Sequence, residues 1–340
     1  KMFRDHLKRI VAGTSLDETQ MAEVMTDLFS GHLTDVQIGA LMAALATKGE
    51  TNEELVGAAR AMRRKAHRIQ VSSGTIVDTV GTGGDGSNTF NISTTTAFVV
   101  AGCGITVAKH GNRSVSSKCG SADVLEALGV RLDVDPELVE EAVEDIGIGF
   151  LFAPLYHSAM RFAAPARKEV GLRSIFNMLG PLTNPAGANC QVIGVYAPEL
   201  TEMFAHTLRL LGSRQAYIVH GHDGLDEISV CAPTRVSELK DGQVKTYNLN
   251  PEAYFGSLAD PGDLVGGDPA TNADITRRIL DGESGPRRNV VLLNAAAALT
   301  AAGASKDFAE GLKLAEEAID SGAARAKLAA LCAFTQEHAP

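Results

Sequence analysis

Residues 81–94, GTGGDGSNTFNIST, place four glycines in six positions and follow them with amides and hydroxyls. Glycine costs conformational entropy and fills no volume in a core. A chain that clusters it so densely has a backbone that something else approaches closely. The run follows TIVDTV (75–80), a strand signal rich in β-branched residues, and precedes STTTAFVVAGC (93–103), which reads as a buried helix. Strand, glycine turn and helix together present backbone N–H groups and a helix N-terminus to an anion. Gly81, Gly83, Gly84 and Gly86 let the main chain come close, and Asn91, Ser93, Thr94 and Thr95 add donors at the start of the helix.

Two familiar nucleotide motifs do not account for the run. It lacks the Lys-Ser/Thr ending of a Walker loop. Gly81, Gly83 and Gly86 formally match G-x-G-x-x-G, but Asp85 puts a negative charge where a dinucleotide pyrophosphate would lie. An acid there suits hydroxyls, or a metal held on a phosphate, better than bare phosphate.

The same alternation continues downstream. GITVAKHG (104–111) reads as a strand, Asp135 and Pro136 open a helix, and IGFLF (148–152) is a further strand signal. CQVIGVY (190–196), a helix from Pro198 to Leu211, and AYIVHG (216–221) repeat the pattern. Recurring strand–helix–strand units imply a mainly parallel sheet flanked by helices. KDGQVK (240–245) reads as a hairpin turning at Asp-Gly, and the chain after Pro269 reads as helix to its end.

The first seventy or so residues differ. Capping-box signatures at Ser15/Glu18, Thr34/Gln37 and Thr51/Glu54 precede helical stripes. Met21, Val24, Met25 and Leu28 form one stripe, and Ile38, Leu41, Met42 and Leu45 another; Gly31 and Gly49 sit where helices stop. Four short helices give a thin core, so this bundle is expected to lean on the main domain or on a second copy of itself. The segment 165–188, with three prolines and several basic residues, reads as a helix, turn and loop crossing between domains.

Two further stretches carry chemistry. KHGNRSVSSKCGSADVLEALG (109–129) mixes cations, amides and hydroxyls after a strand, a second candidate anion loop. HGHDGLDEISV (220–230) ends a strand with adjacent carboxylates, Asp226 and Glu227. With two anion loops nearby, those carboxylates suit Mg²⁺ on a diphosphate, since this ion takes oxygen ligands and keeps several waters.

Composition narrows the function classes. A net charge of −10, aromatics at 5% and no Trp argue against a broad nucleic-acid surface. The basic stretch Arg60, Arg63, Arg64, Lys65 and Arg68 is explained as a solvated helix face. Five widely spaced cysteines without a CxxC pair read as reduced thiols of a cytoplasmic protein. The start shows no secretory signal, and apolar stretches fall short of the ~20 residues that span a bilayer.

Taken together, DTVGTGGDGSNTFNIST, KHGNRSVSSKCGSADVLEALG, RSIFNMLGPLTNP and GLDEIS resemble the anthranilate phosphoribosyltransferase family, and the resemblance covers nearly the whole chain. It implies transfer of phosphoribose from 5-phosphoribosyl 1-pyrophosphate (PRPP) to the amine of anthranilate, a step of tryptophan biosynthesis. It implies an α/β fold: a small N-terminal helical domain (1–72 with part of 154–189) plus a large domain (73–153 and 190–340) with a central, mainly parallel sheet. A homodimer through the helical domain is also implied. By this resemblance PRPP would be held by Gly81, Gly84, Asp85, Thr89, Asn91, Ile92, Ser93 and Thr94. The loop Lys109, His110, Gly111, Asn112, Arg113, Ser114, Val115, Ser116 and Ser117, with Ser121, would complete that site. Ser93, Asp226 and Glu227 would hold Mg²⁺. Gly81, Asn112 and Arg167 would contact anthranilate, with His110, His157 and Pro181 along its path.

The chemistry suits these residues. An aryl amine is neutral at pH 7 and carries a lone pair, so no general base is assigned. Leaving-group departure is the hard step, and Lys109, Asp226 and Glu227 are expected to serve it through charge and metal binding. Domain closure is expected to exclude water. Two alternatives stand beside this: a pyrimidine nucleoside phosphorylase sharing the fold, and a non-catalytic nucleic-acid-binding relative. The Asn112-Arg113 pair and IFNMLGPLTNP favour the transferase, and the retained KHGN motif with the acidic net charge disfavours the second.

Overall fold

A computed structural model describes all of residues 1–340. The bundle consists of α1 (Met2–Val11), α2 (Glu18–Phe29), α3 (Asp35–Lys48) and α4 (Asn52–Lys65). Every apolar position of the two expected stripes is buried. Gly31 and Gly49 end α2 and α3 at φ 78° and 87°, a region open to glycine at little cost. Thr34/Gln37 and Thr51/Glu54 form capping boxes as expected, but Ser15/Glu18 does not. The cap of α2 is Asp17, whose carboxylate accepts from Gln20 N at 2.8 Å while the Gln20 side chain accepts from Asp17 N at 3.0 Å. Ser15 is engaged elsewhere, accepting from Lys48 Nζ at 3.0 Å.

The large domain opens with β1 (Val77–Gly81), α5 (Ile92–Gly102), β2 (Val107–Gly111), α6 (Ser121–Ala127), α7 (Pro136–Ile146) and β3 (Ile148–Phe152). The crossing segment holds α8 (Ala153–Tyr156), α9 (Ala164–Val170) and α10 (Phe176–Leu179). Then follow β4 (Cys190–Gly194), α11 (Leu200–Leu210), β5 (Gln215–Gly221), β6 (Thr234–Lys240), β7 (Gln243–Leu249) and α12 (Glu252–Phe255). The chain finishes with α13 (Pro269–Leu280), α14 (Pro286–Ala301), α15 (Phe308–Asp320) and α16 (Ala323–Glu337).

The seven strands lie in the order β3-β2-β1-β4-β5-β6-β7. The first five are parallel, β6 is antiparallel to β5, and β7 is antiparallel to β6. The β6–β7 hairpin turns on Asp241 and Gly242, both at positive φ, as an Asp-Gly turn with matching twist requires. Side chains alternate across the sheet. Tyr217 and Val219 enter the core under α5 and α14, whereas Ala216 and Ile218 enter a core shared with α11 and the bundle. α14 is buried along most of its length, which explains its alanines: small side chains let α5 and α15 approach it closely. No helix is long and apolar enough to cross a membrane.

The strand order reverses at β1, with β2 on one side and β4 on the other. In an open α/β sheet the crevice beyond the carboxyl ends at such a reversal is where ligands bind. The glycine run leaves β1 there, the KHGN loop leaves β2, and the Asp226/Glu227 loop leaves β5.

Candidate active site

Gly81 and Gly194 are register partners at the ends of β1 and β4. Both make room for Asp226. A Cβ on Gly81 would stand 2.9 Å from Asp226 Oδ2, and one on Gly194 would overlap the Asp226 carbonyl. The Asp226 carboxylate accepts from Gly83 N at 3.0 Å, and the Asp85 carboxylate accepts from Asp226 N at 2.9 Å. The acidic loop and the glycine loop are therefore laced together. Beyond this contact, the N–H groups of Gly84, Asp85 and Gly86 have no protein acceptor, and Gly84 and Gly86 are exposed. Successive free donors of this kind form a cradle for an anion. Thr89 bridges to Val265, which places the 265–267 strap alongside the loop.

At the head of α5, Asn91 occupies the N-cap position without capping. Its amide instead donates to the Cys119 carbonyl at 3.1 Å and accepts from Asn272 at 3.0 Å. This ties the first loop to the second. Ile92 is buried beneath, and the Thr94 hydroxyl is buried without a partner. Ser93 is partly exposed, and its hydroxyl accepts from Lys109 Nζ at 3.2 Å.

Lys109 departs from its sequence reading as a charge facing the diphosphate. Its side chain is buried, and its ammonium donates to the Thr79 carbonyl as well as to Ser93. Burial lowers its pKa, while Asp78 and Glu227 favour the charged form. In this conformation it supports the floor of the site and orients Ser93.

The second loop is held by α6. Asp123 accepts from Ser114 N at 3.0 Å, Gly120 N at 2.9 Å and the Arg113 guanidinium at 3.0 Å. Arg113 also meets Glu126 at 3.2 Å, so its charge is paired within the loop. Gly111 lets Ser121 pack against the end of β2, and the Ser121 hydroxyl donates to the Asn112 carbonyl at 3.3 Å. Asn112, Val115, Ser116 and Ser117 are exposed at the mouth.

Burial dominates the titration of the acids. It pushes Asp226 well above the ordinary carboxylate range, and the charges of Asp85 and Glu227 push the same way. Glu227 rises to about 8 through burial, partly offset by Lys109. Asp85 is also driven up by burial, but hydrogen bonds from Asp226 and Ser87 outweigh this and hold it below its usual value. Crowded carboxyls of this kind gain from a cation. No three of the acids, histidines or cysteines converge closely enough to hold an ion by themselves.

A second wall comes from the crossing segment. Gly180 O receives the His110 ring at 3.1 Å, Pro181 O receives Gln191 Nε2 at 3.0 Å, and Leu182 O receives Arg63 Nε at 2.8 Å. Three consecutive carbonyls are thus fixed from β2, β4 and α4. The His110 and His157 rings lie 5.0 Å apart. Burial depresses their pKa values to about 3 and about 4, so both are neutral imidazoles near pH 7. His110 Nε2 and both ring nitrogens of His157 lack partners. Arg167 is half-buried, with its guanidinium 5.7 Å from the centre of the Phe176 ring. Burial is the sole influence on its pKa, which it lowers; no acid attends it.

The sequence reading missed several residues. Asp78 is fully buried, accepts from Asn184 Nδ2 at 2.9 Å, and has its pKa raised by burial to about 6. An acid inside the apolar run TIVDTV was a usable signal for it. Asn272, Asp123, Gln191 and Arg173 gave none, because each acts through contacts with elements distant in sequence or through a loop whose course the sequence does not fix.

Known proteins match the chain over nearly its whole length. Residues 4–66 match the helical bundle domain, and residues 73–325 the a/b domain, of a glycosyl transferase family. An anthranilate phosphoribosyltransferase from Syntrophobacter fumaroxidans is 69% identical over 99% of this chain and 100% of its own length. One from Desulfatibacillum aliphaticivorans is 66% identical over the same shares. The crystal structure of the Thermus thermophilus enzyme superposes with a TM-score of 0.93 at 44% identity, covering 98% of this chain and 99% of that one. The Saccharomyces cerevisiae enzyme in complex with PRPP and Mg gives a TM-score of 0.89 at 29% identity, covering 98% of each chain. On the strength of these matches over its whole length, the chain belongs to the anthranilate phosphoribosyltransferase family.

Proposed function

We infer that this chain transfers the phosphoribosyl group of PRPP to the amine of anthranilate and releases pyrophosphate, a step of tryptophan biosynthesis. The observation that carries the reading is the lacing of the glycine loop to the acid loop beyond the carboxyl ends of β1 and β5. Free N–H groups stand beside Asp226 and its buried neighbour Glu227, and the segment that reaches the same loop through Arg173 carries an arginine with no acid beside it, Arg167. In the reaction the amine nitrogen forms a bond to C1 of the ribose as the C1–oxygen bond breaks. The leaving diphosphate takes the electron pair, and the proton lost by the amine passes to the released diphosphate or to solvent.

Gly81, Gly84, Asp85, Thr89 and the run from Asn91 to Thr94 form the PRPP side, together with the loop from His110 to Ser117 and Ser121, with Lys109 supporting Ser93 from beneath. Backbone donors there are aimed in advance at a leaving group that gains charge. Removing one such donor typically costs about 3–4 kcal/mol of barrier lowering. Ser93, Asp226 and Glu227 would hold Mg²⁺, which when bound supplies positive charge to the diphosphate. Arg167 pairs with the anthranilate carboxylate, where a planar fork suits a planar anion. Gly81 and Asn112 approach the same substrate. His110, His157 and Pro181 line its path, and the neutral imidazoles offer it hydrogen bonds without competing for the carboxylate.

The two domains divide as 1–72 with part of 154–189, and 73–153 with 190–340. Packing of α9 against α3 and of α10 against α4 supports that division. A homodimer through the helical domain is proposed on the family resemblance. Five unpaired cysteines suit a reducing, cytoplasmic location.

The test is loss of anthranilate fluorescence on mixing purified protein with PRPP and Mg²⁺, with and without chelator. Fluorescence should fall steadily with metal present and hold constant once the chelator is added. Constant fluorescence in both arms overturns the reading.

A further inference from the structure

Arg173 lies between α9 and α10, two residues beyond Gly171, which closes α9 in a left-handed turn. Its Nη2 donates to the Gly84 carbonyl at 2.7 Å, and its guanidinium carbon sits 3.9 Å from the centre of the Tyr196 ring. At that distance the guanidinium is stacked on the ring. The side chain thus reaches from the segment that bears Arg167 across to the glycine loop.

The carbonyl it holds matters because of what shares its peptide. Gly84 O and Asp85 N–H belong to one planar trans unit, so they point to opposite sides. Fixing the carbonyl fixes the N–H, which is one of the free donors of the cradle. Gly83 and Gly84 both have positive φ, at 71° and 75°, and tolerate other backbone conformations easily. Left alone, the 84–85 peptide would rotate. The Asp85 carboxylate is anchored by Asp226 N and by Ser87 N, but that side-chain anchor leaves the peptide before it free.

We propose that Arg173 is a positioning residue for the diphosphate cradle. Stacked on Tyr196, it sets the orientation of the 84–85 peptide from the segment that carries the anthranilate site, and so links the two substrate sites. This rests on the transferase reading above.

Arg173 is exposed, so its replacement leaves the fold intact. The experiment compares wild type with Arg173→Ala, Tyr196→Phe and Tyr196→Leu. KM for PRPP, KM for anthranilate, kcat and calorimetric binding of PRPP with Mg²⁺ are measured for each. Arg173→Ala should raise KM and Kd for PRPP roughly tenfold, the scale of one lost hydrogen bond to a charged group. Its kcat at saturating PRPP should stay within about threefold, since the peptide is reoriented by bound ligand. Tyr196→Phe keeps the ring and should behave as wild type. Tyr196→Leu keeps the charge but removes the stack, and should show the Arg173→Ala defect in weaker form. An unchanged PRPP KM in Arg173→Ala overturns the proposal, as does tighter binding, which would mean the contact holds the loop in an unproductive form. A wild-type Tyr196→Leu beside a defective Arg173→Ala also overturns it, since Arg173 would then touch the phosphates directly. Absence of transfer by wild type counts against the transferase reading instead.

Discussion

On the proposed assignment, Arg167 is where substrate choice would be concentrated. A half-buried guanidinium with no carboxylate beside it has lost part of its hydration without gaining an ion pair. It therefore gains more from an incoming carboxylate than a solvated arginine would. Arg167→Ala should raise KM for anthranilate by about ten- to a hundredfold, the scale of a lost charged hydrogen bond. KM for PRPP should move far less. Steady-state kinetics with each substrate varied in turn checks this, and equal rises in both constants would remove Arg167 from the pocket. The identity of such residues was readable in the sequence, but their direction was not. Asp226 and Glu227 were visible as neighbouring acids, and the structure places Asp226 against the glycine loop. Lys109 was visible as a cation after a strand, yet its side chain turns under the site to Thr79 and Ser93. Nothing local to KHGN distinguishes a lysine that faces the crevice from one that faces the floor.

Among the elements, those with a strict period were legible and those fixed by distant contacts were not. Parallel strands buried on both faces read as short apolar runs, and each expected run is a strand here. Their order could not be read, because β1 pairs with β4 across more than a hundred residues of chain. The bundle shows the same division. Its stripes were plain, but its anchor is a long-range device centred on Glu54. That carboxylate has no exposure and accepts from Lys48 Nζ at 2.6 Å, Leu16 N at 3.1 Å and Thr51 N at 3.0 Å. The sequence assigned Glu54 a capping role alone. In the structure it also joins the start of α2 to the turn between α3 and α4. Glu54→Ala would leave the Lys48 charge buried without a counterion, together with unpaired N–H groups. The expected loss is about 3–5 kcal/mol of unfolding free energy, measurable by urea denaturation. Glu54→Gln, which retains hydrogen-bonding capacity, should lose less. A loss under about 1 kcal/mol for the alanine variant would show that water reaches this site.

For the molecule as a whole, the question is whether the bundle is an appendage or part of the main fold. Leu55, Ala58 and Met62 of α4 lie in the same apolar cluster as Phe204 and Leu208 of α11 and Ile193 and Ile218 of the sheet. Arg60 of α4 also donates to the Leu210 carbonyl at 2.9 Å. The linker after α4 is fastened too: His67 N donates to Tyr156 O at 2.8 Å, Ile69 N to Pro185 O at 3.1 Å, and Gln70 N to Glu140 at 2.5 Å. Both walls of the crevice depend on these joints, because Arg63 of α4 holds Leu182 in the wall from the crossing segment while α11 packs under β5 and β6. A fragment of residues 73–340 would keep the glycine loop, the KHGN loop and the acid pair, yet it would bare the α11 face and leave the Leu182 carbonyl without Arg63. Exposed apolar faces of this kind drive association. The fragment should therefore sediment as aggregates or soluble oligomers, whereas the full chain should unfold by heat in one transition reported alike by near- and far-ultraviolet circular dichroism. A monomeric fragment as heat-stable as the full chain, or two separate transitions in the full chain, would show that the bundle is an appendage. In that case motion between the bundle and the sheet would meet little resistance, and closure over the two substrates would have to be organised by the loops alone.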